Sequence, residues 1–184
     1  MPEAPLLARG PVQLVPFASG HLTDAYVGWL KDASVVRYSE QRHRSHSLES
    51  CRAFVDSFAD SPNLLWAIEA RDPDLRHIGN ITVMRDPRYG LADIAILIGA
   101  EGCQGKGYGR RAWGLVLDHL RAQPDVRKIT GGCMAANQAM VRIMEGAGMV
   151  PDGVRRAHYL LEGAPVDIVH FALWPEQAGR GRLA

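Results

Sequence analysis

Three glycines at alternate positions in Gln104-Gly105-Lys106-Gly107-Tyr108-Gly109-Arg110 constrain this chain more than any other feature. The run follows the apolar stretch Ile94-Ala95-Ile96-Leu97-Ile98 and precedes Ala112-Trp113-Gly114-Leu115-Val116-Leu117-Asp118-His119-Leu120, so strand, glycine loop and helix are predicted in that order. The first turn of a helix leaves backbone N–H groups without intrahelical partners, and the aligned peptide dipoles put partial positive charge there. Glycines let the main chain take positive φ and approach an anion with no Cβ in the way. Lys106, Arg110 and Arg111 add full charges nearby. The loop is therefore an anion site, and a phosphate fits it.

Two well-known phosphate loops fit badly. An ATP-type loop needs Ser or Thr after its lysine to hold Mg²⁺, and here Gly107 follows Lys106. A dinucleotide fingerprint, forced onto Gly107, Gly109 and Ala112, should begin at the strand end, yet residues 99–103 separate Ile98 from Gln104. The acidic residue it wants about 20 positions on would be Asp125, which precedes a strand instead of closing one.

At 184 residues the chain has room for one domain, residues 1–184 with a core over about 12–174, burying about two thirds of the unfolded surface. A net charge of +1 and a pI near 7.8 give no reason to expect nucleic acid or a membrane as partner. No apolar run approaches about 18 residues, and Met1-Pro2-Glu3-Ala4-Pro5 lacks a basic region leading into an apolar segment, so a cytoplasmic protein is expected. Cys51, Cys103 and Cys133 are odd in number with no Cys-x-x-Cys pair, which suggests neither a disulfide framework nor a metal site. Cys103 reads as a small buried thiol.

Along the chain, residues 12–17 alternate as a short strand, and residues 21–29 look helical until Lys31-Asp32-Ala33-Ser34 breaks them. Residues 35–47 are polar and dense in Arg and His. Ser47 is a predicted N-cap for a helix burying Leu48, Cys51, Phe54, Val55 and Phe58, which Asp60-Ser61-Pro62-Asn63 ends. Strands over residues 64–69 and 77–84 flank the turn Arg71-Asp72-Pro73-Asp74, and a third strand runs over residues 91–98. After the glycine loop a helix covers about residues 109–121, stopped by Pro124, and a strand covers 127–134. Asn137 opens a last helix burying Met140, Val141, Met144 and Ala147, with Gly148 at its C-cap. Two strands, about 155–161 and 166–173, enclose Glu162-Gly163-Ala164-Pro165, and a frayed tail is expected over 177–184.

The pattern Gln-x-x-Gly-x-Gly filled by Gln104, Gly107 and Gly109, followed by Asn137 opening a helix and Gly148-Met149 behind it, resembles the GNAT acyltransferase superfamily. The likeness extends to the ribosomal-protein alanine acetyltransferase-like and amino-sugar acetyltransferase-like members. It implies an α/β fold of α+β type, with a mixed, mostly antiparallel sheet of about seven strands splayed around a coenzyme A site and flanked by about four helices. It implies acetyl-CoA as acyl donor and a primary amine as acceptor, joined by direct attack. The pyrophosphate would lie on Gln104, Gly105, Lys106, Gly107, Tyr108, Gly109 and Arg110. The pantetheine would pair with the strand carrying Ile96, Leu97 and Ile98 as an added strand does, within reach of Asn137, which is otherwise a plain N-cap.

The proton of the attacking amine needs an acceptor. Asp93, Glu101 and His77 are the candidates the resemblance places near it. Many family members carry an acidic Tyr seven residues after the Asn; this chain has Met144 there, so Tyr108, Tyr159 or a water must protonate the thiolate. The acceptor side is expected to include Arg37, Tyr38, Glu40, Arg42, His43 and Arg44, a set that points to an anion beside the amine. A nucleotide-linked amino sugar fits that reading. The alternatives are a protein N-terminus, an antibiotic or other small amine, and a non-catalytic acyl-CoA-binding module. A monomer or homodimer is expected.

Overall fold

The computed structural model describes residues 4–71 and 74–175. Eight strands form one sheet in the order β1-β2-β3-β4-β5-β6-β8-β7. In chain order they are β1 (Leu7–Arg9), β2 (Val12–Pro16), β3 (Leu64–Arg71), β4 (Leu75–Asp86), β5 (Leu91–Ile98), β6 (Lys128–Met134), β7 (Val150–Leu161) and β8 (Ala164–Leu173). Every neighbouring pair is antiparallel except β5 and β6, which run parallel. The mostly antiparallel mixed sheet with four helices is the expected one, with eight strands where about seven were predicted. The added strand, Leu-Ala-Arg, is three residues long and carries no alternation to read, and only its pairing with β2 defines it.

Strand periodicity sorts the helices onto two faces. On one face Ala92 and Ile94 of β5, with half-buried Ile96 and Ile98, pack with Leu64, Trp66 and Ile68 of β3 under α3 (Tyr108–Arg121) and α4 (Gln138–Gly146). The buried side of α3 is Ala112, Trp113, Leu115, Val116, Leu117 and Leu120, a three- and four-residue spacing that turns one stripe to the sheet. On the opposite face Leu97 meets a smaller cluster of Tyr26, Val27, Leu30, Val36 and Cys51, supplied by α1 (Asp24–Lys31), α2 (Leu48–Asp56) and the segment between them. The alternation of β5 therefore puts Asp93, Ala95 and Leu97 on the thinly covered face.

Several expected boundaries move. The first helix begins at Asp24, because the Thr23 side chain accepts from Tyr26 N–H and caps it there; Ser19–His21 is a separate 3-10 turn. The Ser47 cap is present, in a reciprocal box with Ser50, but α2 ends at Asp56 and buries only Cys51. Leu48 and Phe54 stay 43% exposed, and Val55 and Phe58 are half-buried, since α2 leans on α1 at one corner instead of lying across the sheet. In α4 only Met144 is fully buried; Met140, Val141 and Ala147 are half-buried. Cys103 is buried at 1% exposure and all three cysteines are free thiols. The Asp72-Pro73 part of the predicted turn and the tail over 177–184 lie outside the described residues.

Gly79 of β4 lies against the main chain of β5 with no room for a side chain. A Cβ placed there would lie 2.1 Å from the Leu97 carbonyl oxygen, a main-chain atom with no freedom to retreat. Gly79→Ala is expected to cost about 3 kcal/mol as an overpacked interior substitution, read as a lowered urea midpoint with an unchanged slope. A midpoint within error of the unaltered protein would show that the strands are free to separate.

Candidate functional site

The site is organised by an incomplete pairing. β5 and β6 match only at Leu91 with Lys128, Ala92 with Ile129 and Asp93 with Thr130. Beyond these pairs, residues 94–98 and 131–134 diverge, each strand still held on its outer edge, β5 by β4 and β6 by β8. Their inner edges therefore present main-chain donors and acceptors across a gap, the arrangement an extended ligand completes as an added strand would. Under the gap Trp113 and Met144 pack against Gly131, whose missing Cβ would otherwise meet the indole at 2.9 Å and the Met144 sulfur at 3.4 Å.

The glycine loop closes one end of the gap. Gly105 and Gly107 have φ of 76° and 81°, and Gly107 is the left-handed N-cap residue of α3, accepting the first bond of the helix from Arg111 N–H. Gln104 donates from its amide to the Ile98 carbonyl, which ties the loop to the end of β5. Residues 104–107 are exposed, while Tyr108 is buried in the α3 core. The turn therefore offers α3's first N–H groups and its positive dipole end to solvent at the mouth of the gap. Beside it, Arg9, Arg110, Arg111 and Arg121 line a cavity of about 430 Å³ that reaches Gly146 and Ala147 at the end of α4. Arg9 is paired with Asp118. The whole end is suited to phosphates. Asn137 Oδ1 accepts from Met140 N–H, so its side chain caps α4.

At the point where the strands part lies a cavity of about 240 Å³, to which Asp93, Glu40, Tyr38, Tyr159 and His170 contribute around the β6 segment Gly132, Cys133 and Met134. Asp93 accepts a hydrogen bond from the Thr130 hydroxyl, its partner in the last matched pair of the two strands. Burial pushes the Cys133 thiol up to about 11, so it remains a thiol near neutrality.

The polar segment over residues 37–46 borders this cavity and two more. A second, of about 250 Å³, lies over Ala95, Ile96 and Leu97 between β5 and α1 and α2. A third, of about 530 Å³, opens outward and is lined by Lys31, Arg37, Arg42 and Arg44 with Glu162. Arg44, Leu30, Ser45 and His46 border both the second and the third. The arginines differ in occupation. Arg42 donates to the Ser39 and Leu160 carbonyls and pairs with Glu40, and Arg37 pairs with Glu162, so both fasten the segment to β7 and its turn. Lys31 and Arg44 have no ion pair among the described residues.

Behind the second cavity runs a buried polar chain. His77 Nε2 approaches two acceptors, the Gly79 carbonyl at 2.9 Å and Asn80 Oδ1 at 2.8 Å, which puts its proton on that nitrogen. Burial among Phe17, Trp29, Tyr26 and His21 lowers its pKa, so the ring is neutral. Burial likewise pushes the Tyr26 hydroxyl up to about 12, keeping it a donor beside Asn80. His77 is thus enclosed and already committed.

The structure brings Asp93, Tyr159, Tyr38 and Glu40 into one cavity, and it separates Glu101, on the exposed turn after β5, and Tyr108 from the residues lining it. Arg37, Arg42 and Arg44 border the outward cavity; His43 is exposed and borders none of the three. Sequence reasoning missed Asn80 and His170. Asn80, 7% exposed, is the one buried polar side chain among the described residues, and a polar residue inside the apolar run of β4 was its only signal. His170 had the same signal in β8.

The sequence profile of the acetyltransferase (GNAT) domain matches residues 12–150. No curated protein matches the sequence significantly. Among solved structures, a ribosomal L7/L12 α-N-protein acetyltransferase (RimL) in complex with coenzyme A superposes with a TM-score of 0.80 at 16% identity, over 94% of this chain and 99% of the other. Spermidine N-acetyltransferase from Vibrio cholerae, in complex with CoA and spermine, gives 0.79 at 18% identity over 91% and 97%. The microcin C7 self-immunity acetyltransferase MccE, in complex with acetyl-CoA and AMP, gives 0.74 at 15% over 90% and 93%.

The conformation of Gly107 generates a direct test of the loop. Valine at that position is strained by about 1–3 kcal/mol in a left-handed conformation and places a branched side chain where the anion approaches. Gly107→Val is expected to weaken coenzyme A binding about tenfold or more by calorimetry; unchanged affinity would remove the loop from the site.

Proposed function

Because the chain belongs to the acetyltransferase (GNAT) domain family, and is thereby an acetyl-CoA-dependent N-acetyltransferase, we propose that its acceptor is a primary amine on an anionic small molecule, such as a nucleotide-linked amino sugar. The observation that carries this reading is Arg44, a cation without an ion pair among the described residues, which borders both the cavity over β5 and the basic outer one. Lys31 lines the same outer cavity. An acceptor lying along residues 37–46 would set its amine between Asp93 and Glu40 and its anionic group at Arg44 and Lys31.

Acetyl-CoA supplies a thioester whose carbonyl carbon is open to attack by a neutral amine. The glycine loop and the start of α3 would hold its pyrophosphate, and the inner edge of β5 at Ile96, Leu97 and Ile98 its pantetheine. Asp93 attracts the acceptor as an ammonium and keeps it at the parting of the strands, with Glu40, already paired with Arg42, beside it. The ammonium must then lose a proton, since it has no lone pair to attack with.

A second reading rests on a different observation. The inner cavity has no Lys or Arg on its lining and carries Asp93, a carboxylate without an ion pair among the described residues, beside the Arg42-paired Glu40, which suits a plain cationic amine or a protein N-terminus. A polyamine would bring further positive charge towards Arg37, Arg42 and Arg44 and is disfavoured.

Free thiol released from acetyl-CoA across amino-sugar nucleotides, unphosphorylated amino sugars, peptides and polyamines separates the readings. The phosphorylated amines are expected to have the highest kcat/KM, and a polyamine or peptide leading the panel would overturn the anionic acceptor. With the favoured amine, Arg44→Ala together with Lys31→Ala should raise the acceptor KM about tenfold or more, the loss of a hydrogen bond to a charged group being worth about 1.5–3 kcal/mol. The KM for acetyl-CoA should stay unchanged.

A further inference from the structure

His170 is a titratable side chain of the inner cavity that has no part in the binding described above. It lies in the middle of β8 opposite Gly132 of β6. Its ring rests over that glycine, where a Cβ would stand 3.0 Å from Nδ1 and 3.3 Å from Cε1. Its Nε2 is buried without a hydrogen-bond partner. A buried polar atom left unpaired in a folded protein calls for a functional account. A ring kept in its place by a glycine on the facing strand, at the parting of the central strands, supplies a second observation at the same point.

The other groups facing His170 narrow the roles. Tyr38 and Glu40 line the same cavity from the segment before α2, Asp93 from β5 and Tyr159 from β7, while the Cys133 side chain of β6 packs into the core on the other face. Carboxylates are weak bases for an amine proton, and phenols and thiols are protonated near neutrality. An imidazole both accepts and returns a proton in that range. The α4 position at which many family members carry an acidic tyrosine is filled by Met144, which is fully buried against Gly131 and Trp113 and has no proton to give.

We propose that His170 is the proton-transfer residue of the acetyl transfer. As the amine nitrogen bonds to the thioester carbon, its proton passes to the His170 imidazole. As the carbon–sulfur bond breaks, the same proton passes to the sulfur, so coenzyme A leaves as the thiol and His170 ends the cycle neutral. The ammonium's other proton is released to water before the attack, so one proton leaves for each acetyl group transferred, and no oxidant is needed. Asp93 holds the amine for this step, and the proposal rests on the acetyl-transfer reading of the site without depending on which amine is used.

The test combines kinetics with an observation that needs no acceptor. With the best amine of the panel, His170→Gln and His170→Asn are expected to lower kcat about 100-fold, within the usual range for a proton-transfer group. The Kd for coenzyme A should stay within about twofold, because the loop and β5 are untouched. The KM for the amine should change less than about threefold, so that the loss falls on kcat. A kcat within threefold of the unaltered enzyme, or a loss carried by KM instead of kcat, overturns the assignment. Should both variants fail to bind coenzyme A for want of folding, Gly132→Ala displaces the ring instead. It should lower kcat with coenzyme A binding kept, and an unchanged kcat overturns the proposal. A panel without turnover counts against the acceptor reading alone, and the NMR arm then decides: the Cε1–H resonance of His170, one of seven histidines, should shift when acetyl-CoA saturates the protein, and a resonance that stays in place overturns the proposal.

Discussion

β5 and β6 hold three matched pairs and then part, and the rest of the architecture is arranged around that parting. Parallel neighbours joined through a helix need a crossover, which α3 provides, and its packing brings Trp113 against the underside of Gly131, the first residue past the last pair. The large indole with Met144 packs beneath the gap and leaves its inner edges open. Two inner edges are left with main-chain groups that the sheet does not pair, and unpaired backbone donors and acceptors demand partners. A ligand able to pair with main chain is the natural occupant, and the glycine loop stands at the end of the gap with the positive pole of α3.

Charge on the opposite, thinly covered face is divided by position. Asp93 and Glu40 sit where the strands part, while Lys31 and Arg44 stand farther out without ion pairs among the described residues. Between them Arg42 spends its hydrogen bonds on the Ser39 and Leu160 carbonyls and its charge on Glu40. It thereby ties the segment before α2 to β7, and the acceptor cavities exist because that tie holds a polar stretch against the final hairpin. A guanidinium can meet several fixed acceptors at once, which suits it to this task better than an ammonium. Behind the cavity, neutral His77 and Asn80 keep a polar chain satisfied inside the core, so the floor of the site is rigid.

The glycine loop was legible because its chemistry is local: positive φ at Gly105 and Gly107, a helix start and a preceding strand are all written within about 20 residues. The span of β5 and the Ser47 cap were legible for the same reason. The roles of the polar residues were less so. Arg37, Arg42 and Arg44 look alike as a run, yet one pairs with Glu162, one binds carbonyls of its own segment and of β7, and one remains available. The exposed Leu48 and Phe54 show the same limit, since a helical apolar stripe says that a face can be buried and not that anything lies there to bury it.

The sequence by itself determined the strand, loop and helix that make the anion site, the alternation that turns Asp93 to one face and Ile94 to the other, and the residue pattern that marks the family. Periodicity and backbone freedom are properties of neighbours in the chain, so they can be read along it. Tertiary structure alone decided that β5 and β6 separate after Thr130, that β8 inserts beside β6 and carries His170 over Gly132, and that Asp93, Glu40, Tyr38 and Tyr159 share one cavity. The four residues of that cavity come from three segments spread over more than 100 positions, and only the packing of a twisted, parted sheet brings them together.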